Sequence, residues 1–197
     1  MSKDSRKFKV PDELANLYDF ANSLDVRHFV HHGTQHQQND ELAGPRELGT
    51  WMAQRGLMNE RAGKIAPAMF DTALRLRNDI RAYLACDPAE RRNNDRVADH
   101  LNKALASFPL AAAIRSGRLV LQPSRHDAIA GLSHVVAELY QGSVIGTLDR
   151  LKTCAAEECR RVFFDRSKPA TRRWCMSTLC GNRMKTRTYR ARHRDDS

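Results

Sequence analysis

The sequence predicts a mainly α protein: a helical N-terminal domain with a small β-hairpin, then a small four-cysteine module ending in a basic helix. Three observations carry this prediction. Apolar residues recur at helical spacing from Leu14 to Leu151. Four of the five cysteines form two pairs, Cys154/Cys159 and Cys175/Cys180, with four residues between the members of each. The net charge of +10 is concentrated near one end, where the chain from Arg150 onward carries 14 Lys or Arg against 5 Asp or Glu.

These features bound the function. A chain of 197 residues, 41% hydrophobic, can bury a sizeable core. Its basic surplus favours a polyanionic partner. Met1 to Val10 contains no apolar leader, and no apolar run approaches the ~18–20 residues that span a bilayer. The expectation is a cytoplasmic protein without a membrane partner. In a reducing compartment paired cysteines more often bind metal or do redox chemistry than form structural bridges. Cys86 stands apart and reads as a small buried hydrophobe.

Residues 1–10 read as a flexible arm, and 11–149 as the helical domain. Pro11-Asp12-Glu13 opens a helix with proline and acids at its positive dipole end, and Leu14, Leu17, Tyr18 and Ala21 follow at helical spacing. Asp25 to Asp40 holds His28, His31, His32 and His36 among glutamines. A solvated loop is favoured there over a metal site, because no acid or cysteine completes a ligand set. Gly44-Pro45 begins a helix with Leu48, Trp51 and Met52 inward. The longest helix runs from about Ala66 to Cys86, with Met69, Ala73, Leu76, Ile80 and Tyr83 as its stripe. Asp87-Pro88-Ala89-Glu90 restarts the chain, and Val97, Leu101, Leu105 and Phe108 continue it. Leu110 to Leu121, with Ser116-Gly117 at its centre, reads as a hairpin, although Ala111 to Ala113 suit a helix equally well. From Arg125 the helical period returns through Ile129, Leu132, Val136 and Leu139, and after Gly142 through Val144, Leu148 and Leu151.

The module occupies 150–197. Cys154, Cys159, Cys175 and Cys180 offer the four thiolates of a closed tetrahedral zinc site. Two disulfides, a dithiol switch and an iron–sulfur cluster are the rivals. Val162-Phe163-Phe164 suits a strand, Ser167 to Ala170 a turn, and Arg172 to Cys175 a return strand. A helix follows from about Ser177 to Arg194, and its first turn carries the second cysteine pair. That path is treble-clef-like. Gly181 is expected to let the backbone pass close to the metal.

A zinc held by four thiolates carries a formal charge of about −2, which Arg160, Arg161, Arg172, Arg173 and Arg183 can offset. Farther along, Arg183, Arg187, Arg190 and Arg194 share one stripe of the helix, with Lys185, Tyr189 and Arg192 opposite. Met184, Thr188 and Ala191 form the uncharged stripe expected to face the module. With no acid in reach, each like-charged i,i+4 pair costs roughly 0.2–0.5 kcal/mol, which phosphates would relieve. Arg172, Arg173, Arg183, Lys185, Arg187, Arg190, Arg192 and Arg194 are the candidate nucleic-acid contacts, with DNA as the expected partner. RNA binding or a protein-interaction role is the alternative. A metal-dependent nuclease is disfavoured, since His193 is the sole histidine near the module, so the chain is not expected to be an enzyme. The N-terminal domain is expected to sense a small ligand or to form a homodimer. Asn22, Arg77 and Asn102 are candidate pocket residues, or satisfy backbone groups instead.

Cys180-Gly181-Asn182-Arg183, after Phe163-Phe164-Asp165-Arg166-Ser167 and Arg172-Arg173-Trp174-Cys175, resembles the CGNR-type zinc finger of bacterial proteins. Leu17 to Asp25, Leu76-Arg77 and Leu101-Asn102 resemble the ABATE domain that usually precedes it. Together the two cover almost the whole chain. The resemblance implies zinc ligands at Cys154, Cys159, Cys175 and Cys180. It also implies a stress-induced transcription regulator whose basic finger meets DNA.

Overall fold

The computed structural model describes residues 3–31, 33–58, 63–91 and 93–193. Roughly half of the chain is helical, and the described strands pair into two-stranded antiparallel ribbons. No described helix is long and apolar enough to cross a membrane.

Helix α1 (Lys3–Lys7) lies in the stretch expected as a flexible arm. Ser5 and Val10 are buried there, and the Phe8 ring lies 6.3 Å from that of Tyr18. Burial of Phe8 and Val10 holds this segment to the core. A 3₁₀ turn at Asp12–Leu14 leads into α2 (Ala15–Asn22), which buries Leu17, Tyr18, Phe20 and Ala21. The histidine-rich stretch forms two short ribbons, β1 (Leu24–Asp25) with β4 (Asn39–Asp40) and β2 (Val30–His31) with β3 (Thr34–Gln35). Phe29 is buried within it, with the His36 ring 4.7 Å away. His32 lies outside the described residues.

Helix α3 (Pro45–Gln54) buries Leu48, Trp51 and Met52. Helix α4 (Pro67–Ala85) buries Ala73, Leu76, Ile80 and Leu84 at i, i+3, i+4 spacing. The restart expected after Asp87 is split in two. Helix α5 (Pro88–Arg91) is a single turn, and α6 (Asp95–Leu105) begins afresh where the Asn94 side chain accepts a hydrogen bond from Val97 N. The break lets Arg91 turn inward, as described below. Strands β5 (Leu110–Arg115) and β6 (Arg118–Pro123) form the expected hairpin, with Ser116 and Gly117 both at positive φ, as a two-residue turn requires. Ile114 and Leu119 face each other across it and are 74% and 76% exposed.

A 3₁₀ turn at Ala130–Leu132 precedes α7 (Ser133–Ile145), which packs on α2. Gly131 sits against the backbone of Leu57, where a Cβ would lie 1.6 Å from the carbonyl oxygen. Glu138 of α7 meets the first turn of α2. Its carboxylate accepts from Leu17 N and from Asn16 Nδ2, both at 2.7 Å. Burial pushes its pKa up to about 7, against the opposing effect of those two hydrogen bonds.

This raised pKa has a defined sign. Folding favours the neutral acid, so the contribution is complete below the unfolded value near 4.5 and is lost as pH rises through about 7. Chemical denaturation across pH 5–8 is therefore expected to show wild type losing up to about 3 kcal/mol relative to Glu138→Gln. Parallel pH profiles for the two proteins would contradict this.

The main core runs from Val10 and Leu14 through α2, α3, α4, α6 and α7 to Leu148, Leu151 and Val162. A second cluster gathers Phe29, Cys154, Ala156, Cys159, Phe163 and Cys180, with Trp174, Leu179 and Met184 against it. Leu151 and Val162 belong to β7 (Leu151–Thr153) and β8 (Val162–Phe164). The ribbon that carries the first cysteine pair is thus rooted in the main core.

Candidate metal centre and basic helix

Strands β7 and β8 pair with Thr153 opposite Val162, so Cys154 and Cys159 fall in the loop beyond that last pair. Cys154 N donates to Arg161 O at 2.8 Å, and Cys159 N to Ala156 O at 2.9 Å, which folds the loop into a knuckle. Ala155 N donates to Arg173 O at 2.9 Å and draws in the segment leading to Cys175. Of the second pair, Cys175 precedes and Cys180 lies on a π-helical turn, Ser177–Gly181, where the first turn of a continuous helix was expected to carry both. Helix α8 (Asn182–Arg192) then follows. The wider turn brings Cys180 back beside Cys175.

The four Sγ atoms lie within 4.8 Å of one another, and Cys159–Cys175 and Cys175–Cys180 are each separated by 3.7 Å. A tetrahedral ion with Zn–S bonds of ~2.3 Å sets its sulfurs ~3.8 Å apart. The donor set therefore fits one zinc ion. A multi-iron cluster distributes the four cysteines over two or four irons and spreads the sulfurs more widely. All four cysteines are free thiols, and three are buried. Packed this closely they perturb one another: S–H···S hydrogen bonds push Cys154 down and Cys175 up. A divalent cation resolves the conflict by accepting all four as thiolates.

Asp165, a motif residue with no role assigned from the sequence, organises the loop between the pairs. It is wholly buried, and accepts from Ser167 N at 3.0 Å, Ser167 Oγ at 2.6 Å, Arg172 N at 2.8 Å and Lys152 Nζ at 3.3 Å. Burial pushes its carboxyl up, but the hydrogen bonds outweigh burial and hold it below the usual range. The local signal was an Asp with a Ser two residues on, the pattern of an Asx turn. Gly181 has an ordinary helical φ of −61°. A Cβ there would meet nothing closer than the Trp174 ring at 3.6 Å, so close approach to the metal does not require glycine.

The candidate basic contacts divide by environment. Arg172 donates to Cys175 O at 2.8 Å and so serves the second knuckle. Arg173 is exposed, 5.7 Å from the Trp174 ring. Arg183 stacks on Phe29 at 3.9 Å and lies 3.6 Å from Glu158 Oε1, while Arg187 lies 3.3 Å from the same oxygen. The expectation that no acid reaches the arginine stripe is therefore overturned. The acid comes from the first knuckle, outside the helix. Lys185, Arg190 and Arg192 are exposed, and none has an acidic partner among the described residues. Arg194 lies outside the described residues. The uncharged stripe packs only through Met184; Thr188 and Ala191 are exposed, and α8 buries no residue. Beyond Met184 the helix thus packs no apolar side chain on the module's cluster. Tyr189 and His193 stack on it at 4.1 Å.

Two of the three candidate pocket residues have other partners, and the third is exposed. Asn22 donates to Val162 O at 3.0 Å and accepts from Val162 N at 3.0 Å, pairing α2 with β8. Arg77 is buried and bidentate on Asp40, at 2.5 and 2.8 Å, with Ser23 Oγ at 3.2 Å. Asn102 is exposed on α6.

Comparison with known families agrees with this geometry. Residues 150–193 match the CGNR zinc finger. Residues 16–157, more than half of the chain, match the ABATE family, whose description is "Putative stress-induced transcription regulator". No curated protein matches the chain. With the donor set and the family in agreement, Cys154, Cys159, Cys175 and Cys180 hold one structural zinc ion.

Proposed function

We propose, for a chain that belongs to the ABATE family and carries a CGNR zinc finger, that it regulates transcription by binding duplex DNA through α8. The observation that carries this reading is the helix itself. It holds Arg183, Lys185, Arg187, Arg190 and Arg192, contains no acid and buries no side chain. A helix with no apolar face gains little from the core, and its charges favour a polyanion.

The zinc centre supplies the scaffold. It fixes the turn from which α8 departs, and the Arg183–Glu158 and Arg183–Phe29 contacts set the direction of departure. Knuckle, ribbon and helix with the second ligand pair at its start follow a treble-clef-like path. The protein acts in this reading by binding rather than by catalysis. The N-terminal domain, spanning 11–149, holds the finger in place through Asn22 and Val162.

Fluorescence anisotropy with the zinc-loaded chain and a mixed-sequence duplex tests the reading. Log affinity is expected to fall linearly with log salt, with a slope of about −0.9 for each phosphate contacted. Three to five contacts from α8 and its surroundings would give a slope between about −2.7 and −4.5. An absence of salt dependence contradicts the proposal. So does preferential binding of single-stranded RNA, which the exposed Tyr189–His193 stack would favour if it served as a base platform.

A further inference from the structure

Helix α8 presents two basic faces, and they are not equivalent. At about 100° per residue, Arg183, Arg187 and Arg190 share one side, with Lys185, Tyr189 and Arg192 opposite. Glu158 stands in the groove along the first side, 3.3 Å from Arg187 and 3.6 Å from Arg183. A carboxylate there offsets the charge of Arg183 and Arg187 and repels an incoming phosphate.

The second side differs in kind. A groove of about 470 Å³ runs between α8 and the Arg173–Trp174 segment. Arg173, Lys185, Arg192 and His193 line it with Trp174 and Tyr189, and among the described residues no acid does. Arg173, Lys185 and Arg192 are exposed and point their charge at solvent, and Tyr189 is 63% exposed. The groove continues past Ala155 and Arg173 into a second one of about 690 Å³, which adds Lys152, Arg160 and Arg172, with Asp87 and Asp149 also in its lining. Of these, Lys152 is held by Asp165 and Arg172 by Cys175 O, so Arg173 and Arg160 are the exposed cations that extend the basic face from the helix across the zinc module.

We propose that the phosphate backbone of duplex DNA lies along the Lys185–Arg192 face of α8, in the groove shared with Arg173, and not along the face that carries Arg183. This rests on the reading of the chain as a duplex-binding protein. Arg183, the arginine of the Cys-Gly-Asn-Arg motif, is then a positioning residue. Its guanidinium joins the zinc module to Phe29 and the first knuckle to α8, and leaves the phosphate contacts to the opposite side.

Two variants of equal charge separate the faces: Lys185→Ala/Arg192→Ala and Arg187→Ala/Arg190→Ala. Both leave the ligands and Arg183 in place, and zinc content with a melting curve verifies that each is folded. The first is expected to make the salt slope of duplex binding shallower by about 1.8, and the second by less than about 0.9. Arg173→Ala, off the helix, should add a further ~0.9 to the first change. Equal losses from the two pairs, or a greater loss from Arg187→Ala/Arg190→Ala, would overturn the face assignment while duplex binding stands. If the wild-type chain binds no duplex, the functional reading falls and this inference with it.

Discussion

Replacing Cys180 by serine is expected to remove zinc and unfold the C-terminal quarter of the chain. Cys180 is buried at the centre of the second cluster, among Phe29, Ala156 and Phe163. Beyond the ribbon and the Asp165 hydrogen bonds the ligand loops have few apolar contacts: their cluster is small, and α8 adds no buried side chain. Structural zinc binding carries about 10–16 kcal/mol of apparent free energy in small modules, comparable with the whole net stability of an ordinary domain. The loss should spread, since Leu151 and Val162 of the ligand-bearing ribbon are fully buried in the main core. Zinc content should fall from one ion per chain to none, and the Trp174 fluorescence should move to that of a solvated indole. A Cys180→Ser protein that keeps both its zinc and its melting temperature would contradict the assignment.

Arg91→Ala is expected to have the second largest effect. Arg91 is 5% exposed and has five backbone carbonyls as acceptors. Its Nε donates to Tyr83 O and Cys86 O at 3.1 Å, Nη1 to Leu148 O at 3.2 Å, and Nη2 to Leu84 O at 3.1 Å and Leu151 O at 2.8 Å. Two of these carbonyls, Tyr83 O and Leu84 O, lie in the last turn of α4 and Cys86 O just past it, where a cation also meets the negative end of the helix dipole. The other two flank the 3₁₀ turn that leads into β7. One guanidinium therefore closes α4 and ties it to the root of the zinc module. Burial pushes the Arg91 pKa down, yet the group has no means of shedding its proton at ordinary pH. Alanine removes five hydrogen bonds, and although Tyr83 O and Leu148 O keep a backbone donor, the loss is expected to cost about 3 kcal/mol by urea denaturation. Lysine should rescue little, because a point charge cannot reproduce the planar fork. A change below about 1 kcal/mol would show that water replaces the guanidinium.

Much of the fold was legible because its signals are local. The spacing of Ala73, Leu76 and Ile80 marks α4, Ser116-Gly117 marks the hairpin, and the paired cysteines mark the metal centre. What was not legible depends on partners far apart in the chain. Asn22 pairs with Val162 across 140 positions, and Glu158 meets Arg187 across 29. A single sequence carries no record of such pairs. The arginine stripe looked unpaired because its acid lies in another element. Phe29 is instructive: a lone aromatic in a polar, histidine-rich stretch, it is buried against the zinc cluster while its neighbour His28 is exposed and donates its backbone N–H to Glu158 O. The stretch expected as a solvated loop thus also seats the finger, through Phe29 and His28 N.

The central claim is that the zinc centre sets α8 to bind DNA. It is tested most directly by titrating zinc into the metal-free full chain while following duplex binding by anisotropy. Binding should be weak without metal, rise in proportion to added zinc, and saturate at one equivalent per chain. Equal affinity with and without zinc, or a zinc-loaded chain that does not bind duplex, would contradict the account.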